Sequence, residues 1–401
     1  MIAFVFWLCV ALIVYVYLLY PGILYLLTRF SSVHLHVSED REKPLPTVTL
    51  LISAYREEAM IAQKLENSLA IDYPDGRLQI LVAVDGQEDH TREIVQSFAN
   101  KGVDLVYSPE RTGKINAIHR AMQAAKGDIV VLTDANTFFV PGALRYLVAP
   151  LADPAIGAVS GAKRILNQAD SLANSEGLYW KYESFIKKQE TRLGSCTGVS
   201  GEIFAFRCNL FEPPPPWVIN DDFILAMQIL RKGYRVVYAP GALTFERISL
   251  SAKDEATRRA RIVAGRYQAL CMGRLLPLKK PVLVWQVFSH KFLRLVVPFA
   301  MAGALLANLA AVIWPVNNAA YPWLQLAESP ARFWLGVQVL FYGLAWLGNR
   351  LQQVRKASSL EKILYLPTYL VNSNLAAVSG LILFLSGRQT NLWSPVARHL
   401  D

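Results

Sequence analysis

The chain has 401 residues, of which 53% are hydrophobic and only 18% charged, a balance that argues against an ordinary soluble protein. Its formal net charge is +10, but many basic residues lie beside apolar segments and no basic helix carries base-stacking aromatics, which argues against a nucleic-acid partner. The four cysteines show no paired spacing and no CxxC motif, which argues against a zinc site or a disulfide framework.

The amino-terminal segment, residues 2–27, is apolar and uncharged. A helix of this length exceeds the roughly 20 residues that cross a bilayer, so residues 1–30 are predicted to form a transmembrane helix. A cleaved signal peptide is the alternative, but no basic residue precedes the segment and its apolar run is long for a signal. Because Arg29, Arg41 and Lys43 follow it, the chain beyond residue 30 is predicted to be cytoplasmic.

The middle of the chain, residues 45–275, is predicted to be a separate domain of alternating strands and helices. Runs typical of strands are VTLLISAY, LQILVAVD, VDLVYS and DIVVLTDAN, and the runs between them have helical periodicity. This order predicts right-handed crossovers and a mostly parallel, Rossmann-like sheet, which defines an α/β fold. In such sheets ligands bind beyond the carboxyl ends of the strands.

After residue 275 the chain becomes apolar again. Residues 281–293 place Trp285, His290 and Lys291 among apolar positions, which predicts a helix at the membrane interface. Residues 294–390 are predicted to form an α-helical transmembrane region of about three helices. The predicted spans are 295–314, 333–348 and 363–386.

The loops of this region carry orientation signals. The loop 349–362 contains basic residues and is predicted to be cytoplasmic, whereas the loop 315–331 has no Lys or Arg and is predicted to lie outside. Because one more predicted span follows the cytoplasmic loop 349–362, the carboxyl terminus would also be outside. Arg388 and Arg398 favour the opposite side, so its location stays open.

Acidic residues follow the predicted strands where each strand ends. They are Glu57, Asp85, Asp134, Asp221 and Asp222. Any one of them could simply cap the next helix. Because the carboxyl ends of parallel strands meet at one sheet edge, the set as a whole predicts a polar site that can hold a metal ion.

An ordered set of motifs adds a family to this prediction: SAYREE, VAVDGQEDHT, GKINAI, TDANT, SGEIFAFR, NDDFIL and RRARIVAG. In this order and spacing they resemble the family 2 glycosyltransferases, an inverting group that includes cellulose, hyaluronan and chitooligosaccharide synthases and many bacterial exopolysaccharide transferases. The resemblance covers almost the whole chain, membrane segments included. It implies a GT-A catalytic domain at residues 45–275.

The resemblance also implies which residues bind the nucleotide sugar. Ala54, Tyr55, Glu57 and Asp85 would hold the nucleotide, with Asp85 accepting a hydrogen bond from a uracil base. Lys114 would reach the diphosphate, since an ammonium makes charge-assisted bonds to phosphate. Without the resemblance, Lys114 could equally be a solvated residue at the start of an amphipathic helix.

Asp134 and Asn136 occupy the place of the family's DxD motif, which implies that they bind a divalent cation. Oxygen ligands suit Mg²⁺ or Mn²⁺, and the ion would neutralise the leaving diphosphate. The second position is Asn here, which offers an oxygen but no charge. Asp134 is therefore the firmer of the two expected ligands.

Asp222 matches the base that removes the proton from the attacking hydroxyl, and Asp221 beside it would tune or orient that base. Asp222 could instead be an acid in the first turn of a helix. The segment Ser200, Gly201 and Glu202 resembles the part of the family that lines the acceptor.

Arg258 and Arg261 match the region of the QxxRW signature of processive members, and Arg261 can clamp a phosphate in a bidentate way. Arg258 stands in place of the Gln and Ile262 in place of the Trp, so the indole on which the family stacks a sugar is missing. A solvated or lipid-facing arginine surface is the alternative.

These expectations combine into one function. The chain is predicted to be a multi-pass protein of the bacterial inner (cytoplasmic) membrane that moves a sugar from a UDP-sugar to a polysaccharide or lipid-linked acceptor, in exopolysaccharide or cell-surface glycan synthesis. Its expected partners are the donor, the acceptor, the bilayer and export proteins. The alternatives are a glycolipid synthase, such as one making glycosylceramides, and a nucleotide-binding component of an export assembly.

Overall fold

The computed structural model describes residues 1–30, 44–165, 171–246, 252–273, 275–316, 320–351 and 359–387. Several basic residues that served above as orientation signals lie outside this part of the chain: Arg41, Lys43, Arg388, Arg398, and Arg355 and Lys356 of the loop 349–362.

One mixed sheet of eight strands lies at the centre of the described structure. The strands are β1 Val48–Ala54, β2 Leu78–Asp85, β3 Val103–Ser108, β4 Ile129–Asp134, β5 Thr137–Phe139, β6 Ile156–Ile165, β7 Phe204–Arg207 and β8 Arg235–Glu246. Their spatial order is β3-β2-β1-β4-β7-β6-β8-β5. The four strands predicted from the sequence are β1 to β4, so the α/β fold class is confirmed.

The sheet is parallel on one side and mixed on the other. β1 runs parallel to β2 and β4, and β2 runs parallel to β3. β7 enters antiparallel between β4 and β6, while β5 is antiparallel to β8 and β6 is parallel to β8. The predicted mostly parallel order therefore holds for the first half of the sheet, and the second half mixes both directions.

Helices cover both faces of the sheet and continue beyond it. They are Ile2–Arg29, Ile61–Leu69, Thr91–Ser97, Lys114–Met122, Ala143–Val148, Ser171–Leu193, Asp221–Arg231, Ala252–Cys271, Pro281–Ile313, Pro322–Gln325, Glu328–Leu351 and Ser359–Leu385. The strand β1 is buried along its whole length, as expected for a strand with a helical layer on each face.

Successive side chains of β1 point to opposite faces, so the sheet divides two hydrophobic cores. Leu50 packs in one core with Ile61 and Leu65 of the helix Ile61–Leu69. Leu51 packs in the other core with Ile118 and with Ile224. These two layers fix the helices whose first turns border the candidate site.

Three helices of the described chain are long and apolar enough to cross a membrane: Ile2–Arg29, Pro281–Ile313 and Leu364–Leu385. The predicted division between an interfacial helix at 281–293 and a following span does not coincide with a break, because one helix continues through a π-helical turn at Phe288–Phe292. The helix Glu328–Leu351 contains the predicted span 333–348, but it is not among the helices that are long and apolar enough to cross a membrane.

A buried polar cluster joins two of these helices to the domain that contains the sheet. The Glu190 carboxylate accepts hydrogen bonds from Tyr20 Oη at 2.6 Å and from the Thr197 backbone N–H at 2.7 Å, and it lies 2.8 Å from His290 Nδ1. Glu183 lies 3.0 Å from His290 Nε2 and also pairs with Arg294, which lies on the same helix as His290. We call this cluster the Glu190 network; its members are Tyr20, Glu183, Glu190, Thr197, His290 and Arg294.

Candidate active site

A cavity of about 940 Å³ opens at the carboxyl ends of the parallel strands. This is the sheet edge where ligands bind in folds of this type. Nine of the residues predicted for the site line it: Tyr55, Glu57, Lys114, Asp134, Asn136, Glu202, Asp221, Arg258 and Arg261. Ala54, Asp85, Ser200, Gly201 and Asp222 are not among the lining residues.

Asp85 lies just below the cavity and is fully engaged within the protein. Its carboxylate accepts hydrogen bonds from the backbone N–H groups of Thr112 and Gly113, at 3.0 and 2.7 Å, and from the guanidinium of Arg120 at 2.9 Å. These bonds order the turn from which the helix Lys114–Met122 begins. The predicted bond from Asp85 to a uracil base stays a prediction, and these internal donors would have to share the same oxygens with it.

Lys114 lies at the start of that helix with its ammonium 2.6 Å from Asp134 Oδ1. Burial disfavours the charged form, but the carboxylates of Asp134 and Asp221 outweigh it and raise the pKa of Lys114. The side chain is therefore an ammonium at neutral pH. An ammonium beside a carboxylate at the mouth of a cavity can exchange that partner for a phosphate.

Asp134 and Asn136 lie in the short turn between β4 and β5, which we call the DAN turn, residues 134–136. Asn136 Nδ2 donates to Glu246 Oε1 at 3.0 Å, and Glu246 pairs with Lys163. Lys163 also lies 3.6 Å from the Glu202 carboxylate, so a chain of polar contacts connects the turn with the predicted acceptor segment.

The donor set of the DAN turn fits a divalent cation. Asp134 can offer a carboxylate oxygen and Asn136 an amide oxygen, both of which suit Mg²⁺ or Mn²⁺. Across the described residues no group of three or more His, Cys, Asp or Glu side chains could hold a metal ion. Protein groups would thus supply part of the coordination shell, and diphosphate oxygens and water the rest, as in many Mg²⁺ sites.

Lys64, which the sequence analysis did not single out, lies beneath the DAN turn. Its side chain is fully buried, and its ammonium donates to Thr133 Oγ1 at 3.1 Å and to the Thr137 carbonyl at 2.5 Å. Burial lowers the pKa of Lys64 to about 7, while the charge of Asp134 opposes this shift. The available signal was its position on the apolar face of the helix, beside Ile61 and Leu65.

Asp221 and Asp222 begin the helix Asp221–Arg231, where negative charge is favoured by the free N–H groups of the first turn. Asp222 Oδ1 accepts the N–H of Phe223 at 2.7 Å. Burial, and then the adjacent Asp221 carboxylate, raise the pKa of Asp222 to about 6. A carboxylate with this pKa is ionised at neutral pH and basic enough to take a proton.

The predicted acceptor segment packs directly against Asp222. A Cβ atom added at Gly201 would lie 3.1 Å from Cβ and 3.2 Å from Oδ2 of Asp222, so a side chain at position 201 would press against the carboxylate. Ser200 is held from below, because Lys187 Nζ donates to its hydroxyl at 2.9 Å. The structure therefore brings the predicted base and the predicted acceptor segment together.

The two predicted arginines reach the cavity from the helix Ala252–Cys271. Arg258 is paired with Glu255, at 2.8 Å between Nε and Oε2. Arg261 is largely buried, and burial lowers its pKa while the charge of Asp221 opposes the shift. Within the described part of the chain, Arg261 Nε has no hydrogen-bond partner. That guanidinium is accordingly well placed to accept an anionic ligand.

At the end of the cavity where the nucleotide is predicted to bind, the Tyr55 hydroxyl donates to Glu88 at 2.5 Å. The guanidinium of Arg111 lies 4.1 Å from the centre of the Tyr55 ring. Glu57 lines the same wall and its backbone N–H donates to Thr91. Ala54 is the last residue of β1 and is buried beside Val84 of β2. It therefore lies in the sheet below the lining residues and offers no side chain to a ligand.

Carboxylates at the carboxyl ends of a parallel sheet with a lysine beside them are the arrangement expected of a nucleotide-sugar transferase of the GT-A type. Residues 46–265 match the family model described as "Glycosyltransferase like family 2". The chain belongs to that family and is a glycosyltransferase.

Curated relatives agree with this assignment. The chain is 27% identical over 265 residues to a probable glycosyltransferase of Bacillus subtilis, YdaM, covering 62% of this chain and 63% of the relative. It is 25% identical over 202 residues to a beta-monoglucosyldiacylglycerol synthase of Trichormus variabilis, covering 48% of this chain and 43% of the relative. The chain thus spans between two fifths and two thirds of the length of these relatives.

A solved structure has a similar fold over most of its length. The mannosyltransferase PcManGT of Pyrobaculum calidifontis, in complex with GDP-Man and Mn²⁺, matches with a TM-score of 0.67 and 24% identity, covering 94% of this chain and 99% of that chain. This likeness confirms the expected GT-A fold.

Proposed function

We propose that this glycosyltransferase works by inversion, moving a sugar from a UDP-sugar to a polysaccharide or lipid-linked acceptor at the surface of a membrane. The observation that carries the proposal is the position of Asp222. It lies against the segment 200–202 at one side of the site, while Lys114 interacts electrostatically with Asp134, Asp221 and Asp222 together. Donor-binding and acceptor-binding groups therefore meet around one point.

On the donor side, Lys114 and Arg261 would bind the diphosphate, and the DAN turn would hold the cation. A bound Mg²⁺ or Mn²⁺ would supply positive charge to the diphosphate as it leaves. Lys114 can turn from Asp134 to a phosphate oxygen without losing a charged partner. The cavity, at about 940 Å³, has room for a nucleotide sugar.

On the acceptor side, Asp222 would take the proton of the attacking hydroxyl. That oxygen forms a bond to the anomeric carbon on the face opposite the diphosphate, whose bond to the sugar breaks, so the configuration inverts. The raised pKa of Asp222 suits this step, because a base works best when its pKa lies near the working pH. Glu202, whose pKa is held down by Lys163 despite burial, would stay ionised and hydrogen-bond acceptor hydroxyls.

The membrane helices support an acceptor that meets the bilayer. We place the domain 45–275 in the cytoplasm because Arg29 follows the first apolar helix, and we assign residues 1–30 and 294–390 to the membrane with 281–293 at its interface. A glycolipid product is a second candidate, favoured by the similarity to a beta-monoglucosyldiacylglycerol synthase.

A nucleotide-release assay tests the proposal. Membranes containing the full chain are given a panel of UDP- and GDP-sugars with and without EDTA, and the product is analysed by mass spectrometry. We expect cation-dependent release of nucleoside diphosphate with one donor class and a glycan or glycolipid product with an inverted anomeric centre. A product that retains the donor's anomeric configuration would contradict inversion.

The variant Asp222→Asn isolates the proposed base. We expect transfer to fall by roughly 10² to 10⁴ while donor binding stays near wild type, because only the proton acceptor is lost. Near-normal transfer by a folded Asp222→Asn protein would show that another group takes the proton. The matched control is Asp128→Asn, a carboxylate outside the cavity whose hydrogen bond from Thr47 lies at the opposite end of β4.

A further inference from the structure

Lys64 is a buried amine that contacts the residues on both sides of the DAN turn. The turn consists of residues 134–136, and Lys64 donates to the residue before it, Thr133, and to the residue after it, Thr137. The ammonium also lies 4.7 Å from the centre of the Phe139 ring. One side chain thus ties together the end of β4 and the whole of β5.

A neutral side chain on the same helix already anchors β5. Asn67, one turn after Lys64, accepts the N–H of Phe139 at 2.8 Å and donates to the Phe139 carbonyl at 2.9 Å. A buried charge costs much more to desolvate than an amide. Attachment of the strand therefore does not explain why a lysine, and not a second amide, occupies position 64.

Asp134 directly follows Thr133 in the chain, and the Thr133 hydroxyl accepts a hydrogen bond from Lys64. The negative charge of Asp134 also opposes the lowering of the Lys64 pKa by burial. Lys114 contacts Asp134 directly, but its ammonium faces the cavity and is the group that a diphosphate would draw away. Lys64 is buried under the turn and does not line the cavity.

We infer that Lys64 is a positioning residue for the cation site: it holds Thr133 and Thr137 so that Asp134 and Asn136 keep the spacing that a diphosphate-bound cation requires. This inference rests on the proposed function, since it assumes that the DAN turn binds the cation. Lys64 does not touch the ion itself. Groups that orient metal ligands in this way typically change metal affinity by 10- to 100-fold when they are removed.

Binding of Mn²⁺ to the purified full chain in detergent tests the inference without any transfer reaction. Calorimetric titrations with Mn²⁺ are made in the presence of UDP or GDP, whichever the wild-type chain binds. For Lys64→Met we expect the Kd for Mn²⁺ to rise on the order of tenfold. For Thr133→Val, which keeps the shape and removes the hydroxyl that Lys64 contacts, we expect a smaller rise in the same direction.

Asn67→Ala is the matched control, because it releases β5 without touching the charge. We expect it to lower the thermal unfolding midpoint but to leave the Kd for Mn²⁺ unchanged. If Lys64→Met does not fold, Thr133→Val decides alone. Wild-type Mn²⁺ affinity in the folded variants would overturn the positioning role. A wild-type chain that binds nucleotide with no dependence on the cation would instead overturn the proposed cation site, and the role of Lys64 with it.

Discussion

The cavity and the Glu190 network both concentrate charge, but they do so in opposite ways. In the cavity, the side chains of Lys114 and Asp134 are 23% and 37% exposed and pair directly with each other in the cavity wall. In the network, Glu190 and His290 are completely buried and pair with groups from three separate parts of the chain. Charges that face a cavity are available to a ligand, whereas charges closed off from solvent hold the structure together.

The chemical nature of the partners supports this division. Glu190 takes hydrogen bonds from Tyr20 in the first apolar helix, from Thr197 just before the acceptor segment, and from His290 in the helix Pro281–Ile313. All its acceptor capacity is used inside the protein. We therefore expect substitutions in the network to change stability and substitutions in the cavity to change chemistry.

The largest expected effect is the loss of stability in Glu190→Ala, which tests whether the Glu190 network holds the structure together. Removing the carboxylate leaves buried groups on Tyr20, Thr197 and His290 without a partner, and each buried donor left unsatisfied costs about 1–3 kcal/mol. Thermal unfolding in detergent, followed by tryptophan fluorescence, measures the loss. Tyr20→Phe is the control: it removes one donor and keeps the ring, and it should cost about 1 kcal/mol. An unchanged unfolding midpoint for Glu190→Ala would break the comparison.

A smaller effect is expected for the pH dependence of transfer. Because the raised pKa of Asp222, about 6, marks the point where the base becomes protonated, the rate at subsaturating acceptor should fall about tenfold per pH unit below it. Asp221→Asn removes the neighbouring charge that contributes to the shift, so the fall should move to lower pH. An unchanged pH midpoint in Asp221→Asn would show that Asp221 does not contribute to the pKa of the base.

Almost no effect is expected when a charge is removed from an exposed ion pair on the surface. Arg145 donates to both oxygens of Asp72, at 2.9 and 2.8 Å, but both side chains are largely exposed. Solvent and salt screen such pairs, so Asp72→Asn should leave transfer, its pH profile and the unfolding midpoint unchanged. A marked loss of transfer in this variant would mean that loss of charge alone, anywhere on the domain, disturbs the enzyme.

The part of the fold that could be predicted from the sequence is the part with local signals. Strands β1, β2 and β4 are largely apolar runs, which identify buried parallel strands, and β2 and β4 each end in an aspartate. β7 is only four residues long and β8 contains Pro240 and Gly241, so neither has a clear pattern of its own. Their places in the sheet depend on pairing with β6, a contact that no local pattern reveals.

The candidate site follows the same rule. The acids at strand ends were predicted because their position along each strand is local. Lys64 and Glu246 were missed, because each becomes relevant only through a contact across the structure. The hydrogen bonds that the Asp85 carboxylate accepts within the protein were also unpredictable, because Arg120 reaches Asp85 from the far end of a helix. The assigned role of each residue in the reaction stays a prediction until the variants above are measured.

The carboxylate shared by Tyr20 and His290 has a practical consequence for protein production. A shortened, detergent-free version starting near residue 44 would lack Tyr20, and cutting before residue 281 would also remove His290. Either cut removes a hydrogen-bond partner of Glu190. The carboxylate then lies at the new surface or in an apolar environment without that partner, next to the loop that leads to Ser200. Expression trials of such versions should therefore begin with position 190 replaced by a neutral side chain.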